Sequence, residues 1–386
     1  MTELPIRARG GLAIAWYPHH VEHLAPWCEI MGVPMLLADS PGLFAATRCY
    51  PGLDVAWAHG VRMPAGRDPF ARAIRERRPG VVYCSDLFDR SVLRDMLGGG
   101  GDAPRVVYVP HGFSEKRQDW ARGTALQDVA VLYGRHAFDQ LAAWGVAGEL
   151  HRYLLSGNVR RAYYRRHATW FEGELDRLGL AGDHPGRTLL YAPTWNDAIG
   201  SSSFFGAFAA IARRIPADWR LVVKLHPHSE RFAATIDEIE RLCRGRGLHV
   251  VRNSPLTFPL LDLADAYVGD MSSLAYDYLA CGRPMFFTNP TSGTSRDAAG
   301  SRLFACGTTI APERYDDVWR IVDDAWPTDA GRYGEARAAL DRYTHTPERS
   351  VDDLRAEMSD LTRGPPPPWM AEPPARRSEA DVGQGS

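Results

Sequence analysis

Short hydrophobic runs alternate with amphipathic stretches along the first half of the chain. The runs are LAIAW (12–16), VPMLLA (33–38), LDVAWA (53–58), GVVYC (80–84), RVVYV (105–109) and VAVLY (129–133). The intervening segments have the spacing of amphipathic helices, so the pattern predicts βαβ units around a parallel sheet. We therefore expect residues 1–150 to form one Rossmann-like domain.

A second alternation begins at residue 187. Its predicted strands are TLLYA (188–192), RLVVKL (220–225) and LHVV (248–251), followed by two further strand-helix units and a helical end. The segment 187–363 is predicted to be a second Rossmann-like domain, with 151–186 between the two. The fold class is thus α/β, with two such domains facing each other across a cleft.

The joining segment is basic and aromatic. Residues 151–171 carry five arginines between Arg152 and Arg166 and no acidic residue among them. Two interpretations stay open: a solvated helix face that crosses between the domains, or a patch that touches lipid or an anionic substrate. The Pro-rich tail 364–386 is predicted to be disordered and lies outside both domains.

Composition excludes several classes of protein. A net charge of -2 and a pI near 6.7 give no overall attraction to nucleic acid or to an anionic membrane. The six cysteines are far apart and form no CxxC pair, which favours reduced thiols over zinc ligands. The apolar run near the start is too short for a signal peptide or a membrane span, so we expect a cytoplasmic protein. No metal or other cofactor is expected.

The most informative segment is LADAYVGDMSSLAYDYLACGRPMFF (263–287). It predicts a buried strand, a turn, a helix and a second buried strand. Ser272 and Ser273 would then lie beyond the carboxyl edge of the sheet, where phosphates bind. Asp270 is a candidate helix cap, which is compatible with phosphate binding. Asp277 leaves the apolar helix stripe; it either faces solvent, which we favour, or meets a ligand hydroxyl.

Three other predicted strands also end in polar residues. After the strand at 105–109 come His111, Gly112, Ser114 and Lys116, and here His111 is a candidate base. The second strand ends at APTW, where Thr194 suits a sugar or a phosphate as well as an ordinary turn. In the third strand, Lys224 lies within the strand and His226 follows it. We interpret His226 as functional because His111 occupies the equivalent strand-end position in the first half of the chain.

Familiar catalytic motifs do not occur in the sequence. The chain has no P-loop GxxxxGK[ST], strand-linked GxGxxG, HExxH or GxSxG, and no DxD-type pair at a strand end. ATP hydrolysis, simple NAD chemistry, zinc proteolysis and α/β-hydrolase chemistry therefore lose support.

The four strand ends together resemble a known set. VPHGFSEK, YAPTWND, VVKLHPH and ADAYVGDMSSLAYDYLACGRPMFF are similar, in this order, to the motifs of the CDP-glycerol glycerophosphotransferase family, which makes teichoic acids and related surface polymers. In that family the HG motif commonly continues as Thr-Pro-Leu-Lys, whereas here it continues as Phe113, Ser114, Glu115 and Lys116.

The resemblance implies a GT-B fold with an acceptor-binding first domain and a nucleotide-binding second domain. It implies that His111 is the base that takes the acceptor proton, that His226 contacts the donor diphosphate, and that Ser272 and Ser273 bind phosphate. Thr194, Lys224, Asp270 and Asp277 are further candidates for the donor side, and Gly112, Ser114 and Lys116 for the cleft.

The expected function is transfer of glycerol phosphate, or a similar polyol phosphate, from a CDP-activated donor to a surface-glycan or lipid-linked acceptor. Peripheral contact with the inner face of the membrane would accompany it, and nucleic acid is not an expected partner. Two alternatives stay open. One is a GT-B glycosyltransferase or UDP-GlcNAc 2-epimerase-like enzyme that uses a nucleotide sugar. The other is a catalytically idle nucleotide-binding member of a surface-polymer assembly.

Overall fold

Two parallel sheets organise the chain. The computed structural model describes residues 10–38, 41–58, 76–86, 104–115, 120–182, 184–195, 202–252, 254–288 and 301–364. These ranges leave out most or all of 69–78 and 91–97, two of the amphipathic stretches between the predicted strands that are expected to be helical, as well as Lys116 and the tail from 365 onward.

The first sheet has seven strands in the order β3-β2-β1-β4-β5-β6-β7, all paired in parallel. The strands are β1 Gly11–Ala15, β2 Met35–Ala38, β3 Val55–Ala58, β4 Val81–Cys84, β5 Arg105–Tyr108, β6 Val129–Leu132 and β7 Tyr153–Leu155. The chain begins with β1 inside the sheet and adds β2 and β3 towards one edge. It then returns and adds β4 to β7 on the other side of β1, as in a doubly wound nucleotide-binding fold.

The second sheet has six strands in the order β10-β9-β8-β11-β12-β13, again all parallel. The strands are β8 Arg187–Ala192, β9 Trp219–Lys224, β10 Leu248–Val251, β11 Ala266–Gly269, β12 Met285–Thr288 and β13 Thr308–Ile310. Here the order reverses between β8 and β11. The predicted α/β class with two Rossmann-like sheets is confirmed.

Helices cover the sheets. The α-helices are α1 Pro18–Met31, α2 Pro41–Arg48, α3 Trp120–Ala125, α4 Arg135–Ala143, α5 Val159–Arg166, α6 Ala168–Arg177, α7 Phe204–Ala212, α8 Ala233–Leu242, α9 Phe258–Leu263, α10 Ser273–Tyr278, α11 Ser301–Phe304, α12 Val318–Thr344 and α13 Val351–Arg363. Short 3-10 helices lie at Ala147–Glu149, Pro227–Phe232, Leu279–Cys281 and Pro312–Asp317. Among the helices that the structure describes, we find none with the length and hydrophobicity that crossing a membrane requires.

The end of the chain returns to the first domain. Leu354 and Met358 of α13 are buried in the hydrophobic core around β1 and α1. Arg105 of β5 donates a hydrogen bond to the Gly364 carbonyl at 3.1 Å. The sequence assigns 187–363 to the second domain, whereas α13 packs on the first. Sequence alone does not reveal this because an amphipathic helix has the same pattern on either core.

Met358→Ala tests this packing. Met358 is fully buried, so removing its side chain should lower the free energy of unfolding by about 2–5 kcal/mol. Leu242→Ala is the control, because Leu242 is exposed and should change stability by less than about 0.5 kcal/mol. Urea unfolding of both variants measures the difference, and equal effects would contradict the assignment of α13 to the core.

Candidate active site

The carboxyl ends of the strands in the two sheets meet at one cleft. In an open parallel sheet, ligands bind outside the strand ends where the strand order reverses. In the first sheet this point lies between β1 and β4, and in the second between β8 and β11. The predicted residues His111, Thr194, His226 and Ser272 all follow strands that are central in these sheets.

His111 is held by the end of the neighbouring strand. Its Nδ1 lies 3.2 Å from the Ser85 carbonyl oxygen, which follows β4. A carbonyl oxygen can only accept, so Nδ1 carries the proton and Nε2 of the neutral ring keeps its lone pair. Enclosure by the cleft walls lowers the pKa of His111, against the Ser85 hydrogen bond and the charge of Asp86, although the residue as a whole is exposed to solvent. His111 is therefore a neutral imidazole with an available acceptor nitrogen at pH 7.

The loop after His111 touches the second domain. Gly112 has a φ of +119°, and a Cβ placed on it would lie 2.7 Å from the Cβ of Ser273. Glu115 accepts a hydrogen bond from the Tyr276 hydroxyl at 2.9 Å, and the Phe113 ring packs edge-on against Tyr276 with centroids 4.9 Å apart. A glycine is required at 112 because any side chain there would push the two domains apart. The third candidate of this loop, Ser114, is half-buried.

His226 carries the complementary proton. Its Nδ1 accepts a hydrogen bond from the His228 backbone N–H at 3.2 Å, so the proton of the neutral ring lies on Nε2. Burial, His228 and His19 lower the pKa of His226 to about 3. The His226 ring stacks on His228, with centroids 5.2 Å apart, and the exposed Trp195 flanks both. His226 can thus donate a hydrogen bond to a ligand oxygen, whereas His111 can accept a proton.

Lys224 is nearly buried on β9. Its Nζ donates to the Ser254 carbonyl at 2.9 Å, and its charge contributes to the lowered pKa values of His19 and His226. Lys224 therefore supplies fixed positive charge beside the cleft, as a site for an anionic donor requires.

Asp270 holds loops and does not cap the helix. It is fully buried, and its carboxylate accepts from the backbone N–H groups of Thr194 and Ser203, each at 2.7 Å, and from the Ser203 hydroxyl at 2.9 Å. The cap of α10 is Ser272, whose hydroxyl accepts from the Leu274 N–H at 3.4 Å. The predicted capping role of Asp270 is wrong because the helix begins two residues later than that role requires. Asp270 instead fixes the position of the Thr194 loop.

Asp277 is buried in an ion pair, not exposed to solvent. Arg160 of α5 donates to both of its carboxylate oxygens, at 2.7 and 2.6 Å, and the Asn158 amide donates at 2.9 Å. The predicted solvent-facing position of Asp277 is therefore wrong. A nucleotide hydroxyl would have to compete with a bidentate guanidinium for this carboxylate, so its predicted role in binding the donor gains no support.

The same guanidinium reaches the first domain. Arg160 lies 3.3 Å from Glu22 of α1, and the second oxygen of Glu22 accepts from the Thr257 hydroxyl at 2.8 Å. Burial would lower the pKa of Arg160, but Asp277, Tyr133 and Glu22 raise it above its ordinary value. One buried cation thus joins α1, the helix α5 between the domains, and α10 of the second domain.

Three more arginines of the basic segment, Arg161, Arg165 and Arg166, also have acidic neighbours. Arg166 and His167 both pair with Glu29 of α1 at 2.5 Å. Arg165 lies 3.4 Å from Glu348, and Arg161 lies 3.8 Å from Asp341. The segment is neither a free basic face nor wholly helical, since it contains β7. The missing local acids are supplied by distant parts of the chain, which local sequence does not reveal.

Three histidines in the first half of α1, none of them predicted from sequence, also lie at the site. The His19 ring lies 5.9 Å from His111 and 6.4 Å from His226, centroid to centroid. The His20 ring stacks over His111 at 6.0 Å, and His23 lies 6.4 Å away. The signal was present, because Tyr17-Pro18-His19 after β1 repeats the strand-proline-histidine order of Val109-Pro110-His111.

These histidines are neutral at pH 7. Burial, followed by His111, His228 and Lys224, lowers the pKa of His19 to about 3, and burial lowers the pKa values of His20 and His23 well below the usual range. Among the described residues, no three His, Cys, Asp or Glu side chains are arranged to hold a metal ion.

Comparison with known proteins agrees with the motifs. Residues 162–300 match the family model described as CDP-Glycerol:Poly(glycerophosphate) glycerophosphotransferase. This range includes the Thr194, His226 and Ser272 motifs, while the His111 motif lies before it. The predicted family resemblance is confirmed. No curated protein matches the chain by sequence.

Solved structures of similar fold include a wall teichoic acid polymerase and UDP-sugar epimerases. The wall teichoic acid polymerase TagF, in a CDPG soak, has a TM-score of 0.63 at 10% identity, covering 91% of this chain and 88% of that chain. S. aureus MnaA with UDP has a TM-score of 0.58 at 12% identity, covering 93% and 99%. UDP-GlcNAc 2-epimerase from Neisseria meningitidis, bound to UDP-GlcNAc, has a TM-score of 0.54 at 9% identity, covering 86% and 98%. At these identities the likeness shows the fold, and the predicted GT-B architecture is confirmed.

Asp277→Ala tests the buried ion pair. The variant leaves the Arg160 guanidinium buried with only Glu22 beside it, so the free energy of unfolding should fall by about 3–5 kcal/mol. Asp176→Ala removes an exposed carboxylate and should change stability by less than about 0.5 kcal/mol. Denaturant unfolding measures both. A loss of stability no greater than that of the control would contradict the structural role of Asp277.

The neutral histidines predict an acid-sensitive fold. Histidine in the unfolded chain titrates near pH 6.5, whereas His19 and His226 titrate at about 3 in the folded chain. Between these values the unfolded state binds more protons, so stability should fall as pH is lowered from about 6.5 towards 5. Unfolding midpoints at several pH values measure this slope. A His19→Gln, His226→Gln double variant should have a shallower slope, and an unchanged slope would contradict the assignment.

Proposed function

We propose that this protein transfers glycerol phosphate from a CDP-activated donor to a hydroxyl of a cell-surface polymer. The family match over residues 162–300 supports the reaction class and the CDP-glycerol type of donor. The observation that carries the proposal is the contact of the predicted acceptor loop with the predicted phosphate turn, where Gly112 meets Ser273.

His111 is the proposed base. An acceptor oxygen attacks the glycerol-bearing phosphorus of CDP-glycerol, and the bond from that phosphorus to the bridging oxygen breaks as CMP leaves. The acceptor proton passes to Nε2 of His111, which is unprotonated because Nδ1 donates to the Ser85 carbonyl. This step requires neutral imidazole at pH 7, as the lowered pKa of His111 provides.

His226 and the serine turn are the proposed donor contacts. The Nε2–H of His226 donates to an oxygen of the diphosphate, and Lys224 at the end of the same strand offsets the negative charge of the diphosphate. Ser272 and Ser273 follow β11, at the carboxyl edge of the sheet where His226 also follows its strand. The proposed roles need no metal ion, because the hydrogen-bond donors of His226, Ser272 and Ser273 and the charge of Lys224 would stabilise the diphosphate.

The proposed acceptor is a polyanionic or lipid-linked surface glycan. Peripheral membrane contact remains part of the proposal, but the arginine segment gives it little support because each of Arg161, Arg165 and Arg166 has an acidic partner.

A nucleotide-sugar reaction is the competing function. The fold is shared with MnaA in complex with UDP and with a UDP-GlcNAc 2-epimerase, but this likeness concerns the fold alone. Thermal stabilisation by UDP and not by CMP or CDP-glycerol would favour it. Stabilisation by the cytidine nucleotides would support the glycerophosphate reaction.

His111→Gln tests the base directly. Removing a general base should lower CMP release from CDP-glycerol by about 10²- to 10⁴-fold in the presence of acceptor. The affinity for CDP-glycerol should change little, because His111 lies on the acceptor wall. His249→Gln on the edge strand β10 is the matched control and should keep full activity. Activity of His111→Gln equal to the control would rule out the proposed base.

A further inference from the structure

The place where the first sheet reverses its strand order has no assigned ligand. In the second sheet the equivalent place, between β8 and β11, holds the Thr194 loop and the serine turn. In the first sheet it is lined by the start of α1 after β1 and by Ser85 after β4. Such reversal points are the usual ligand sites of doubly wound sheets.

The start of α1 lacks the usual caps. This helix has 14 residues, its capping position Tyr17 provides no side-chain hydrogen bond, and its first turn contains no acidic residue. Pro18 begins the helix, and the His20 N–H bonds the Tyr17 carbonyl. The positive end of the helix dipole therefore has no acidic side chain in its own first turn to match it.

Two imidazoles at this helix end each have a buried nitrogen without a hydrogen-bond partner among the described residues. His20 is 2% exposed, yet its Nδ1 has no hydrogen-bond partner among the residues that the structure describes. The same holds for the Nδ1 of the adjacent His19 and for the hydroxyl of the fully buried Ser85. A buried polar atom without a partner costs free energy, and a bound anion would supply the missing hydrogen bonds.

We propose that the first turn of α1, with His19, His20 and Ser85, is a phosphate-binding subsite on the acceptor side of the cleft. This subsite rests on the proposed function and extends it. The group that it binds is a phosphate mono- or diester. That phosphate belongs either to the end of the growing acceptor or to the donor. His19 is within 6.4 Å of both His111 and His226, centroid to centroid, so a phosphate here adjoins the transfer site.

Binding of the anion should be coupled to proton uptake. The charged and titratable groups around His19 are His20 and His23 on its own helix, His111 from the first sheet, with Asp86 beside it, and Lys224, His226 and His228 from the second. Burial lowers the pKa values of His19, His20, His111 and His226, and a bound anion would favour protonation of the nearest of these rings. Affinity for an anion of constant charge should therefore rise as pH falls.

Calorimetric titration of the full chain tests the subsite. The probes are sulfate, sn-glycerol 3-phosphate, CDP-glycerol and CMP, and the proteins are wild type, His19→Gln and the control His249→Gln. We expect His19→Gln to weaken sulfate and sn-glycerol 3-phosphate binding at least tenfold and CMP binding less than twofold. Sulfate affinity should rise from pH 8 to pH 6 in wild type and rise less in His19→Gln.

The probes separate the two sources of phosphate. Weaker binding of sn-glycerol 3-phosphate assigns the subsite to the acceptor, whereas weaker binding of CDP-glycerol alone assigns it to the donor. Unchanged binding of every anion in His19→Gln would overturn the subsite. If wild type releases no CMP from CDP-glycerol, the proposed function fails, while a loss of sulfate binding in His19→Gln would still support the anion site.

A second measurement avoids the risk that buried variants misfold. Histidine ring signals of wild-type protein labelled with ¹⁵N, followed by NMR during addition of sulfate, should shift for His19 and His20. Signals that stay in place up to saturating sulfate would also overturn the proposal.

Discussion

The buried guanidinium of Arg160 is the interaction on which the geometry of the cleft depends. It binds Asp277 of the second domain in a bidentate pair and reaches Glu22 of the first. Burying these charges is costly unless every group is paired, so the arrangement is stable only while the three elements keep their relative positions. Because Glu22 follows His19 and His20 on α1, and Asp277 follows Ser273 on α10, the same network sets the distance between the two walls of the site.

The loop from His111 to Glu115 provides a second connection between the walls. Its sequence differs from the Thr-Pro-Leu-Lys that commonly follows the HG motif, and the differing residues are the ones that meet the second domain. Phe113 and Glu115 both contact Tyr276, which lies one turn from Ser273. The departure from the family pattern thus forms part of the domain contact in this chain. Gly112 permits that contact because it has no side chain.

Sequence could predict the features that are local. Hydrophobic alternation and the strand-end motifs are properties of short segments, and they correctly predicted two parallel sheets. It could not predict pairings between distant residues. From its local sequence, Asp277 resembles a solvent-facing helix residue, because its ion-pair partner Arg160 lies more than a hundred positions away in the chain. The strand β7 and the docking of α13 were missed for the same reason. The Pro18-His19-His20 motif, in contrast, is local and could have been predicted from its place after β1.

A structure of the protein with CDP-glycerol tests the central claim most directly. The account predicts that the diphosphate lies between His226 and the Ser272-Ser273 turn, with the glycerol-bearing phosphorus facing the Nε2 of His111 across the space for an acceptor hydroxyl. A donor bound elsewhere, or bound with its glycerol phosphate turned away from His111, would contradict it.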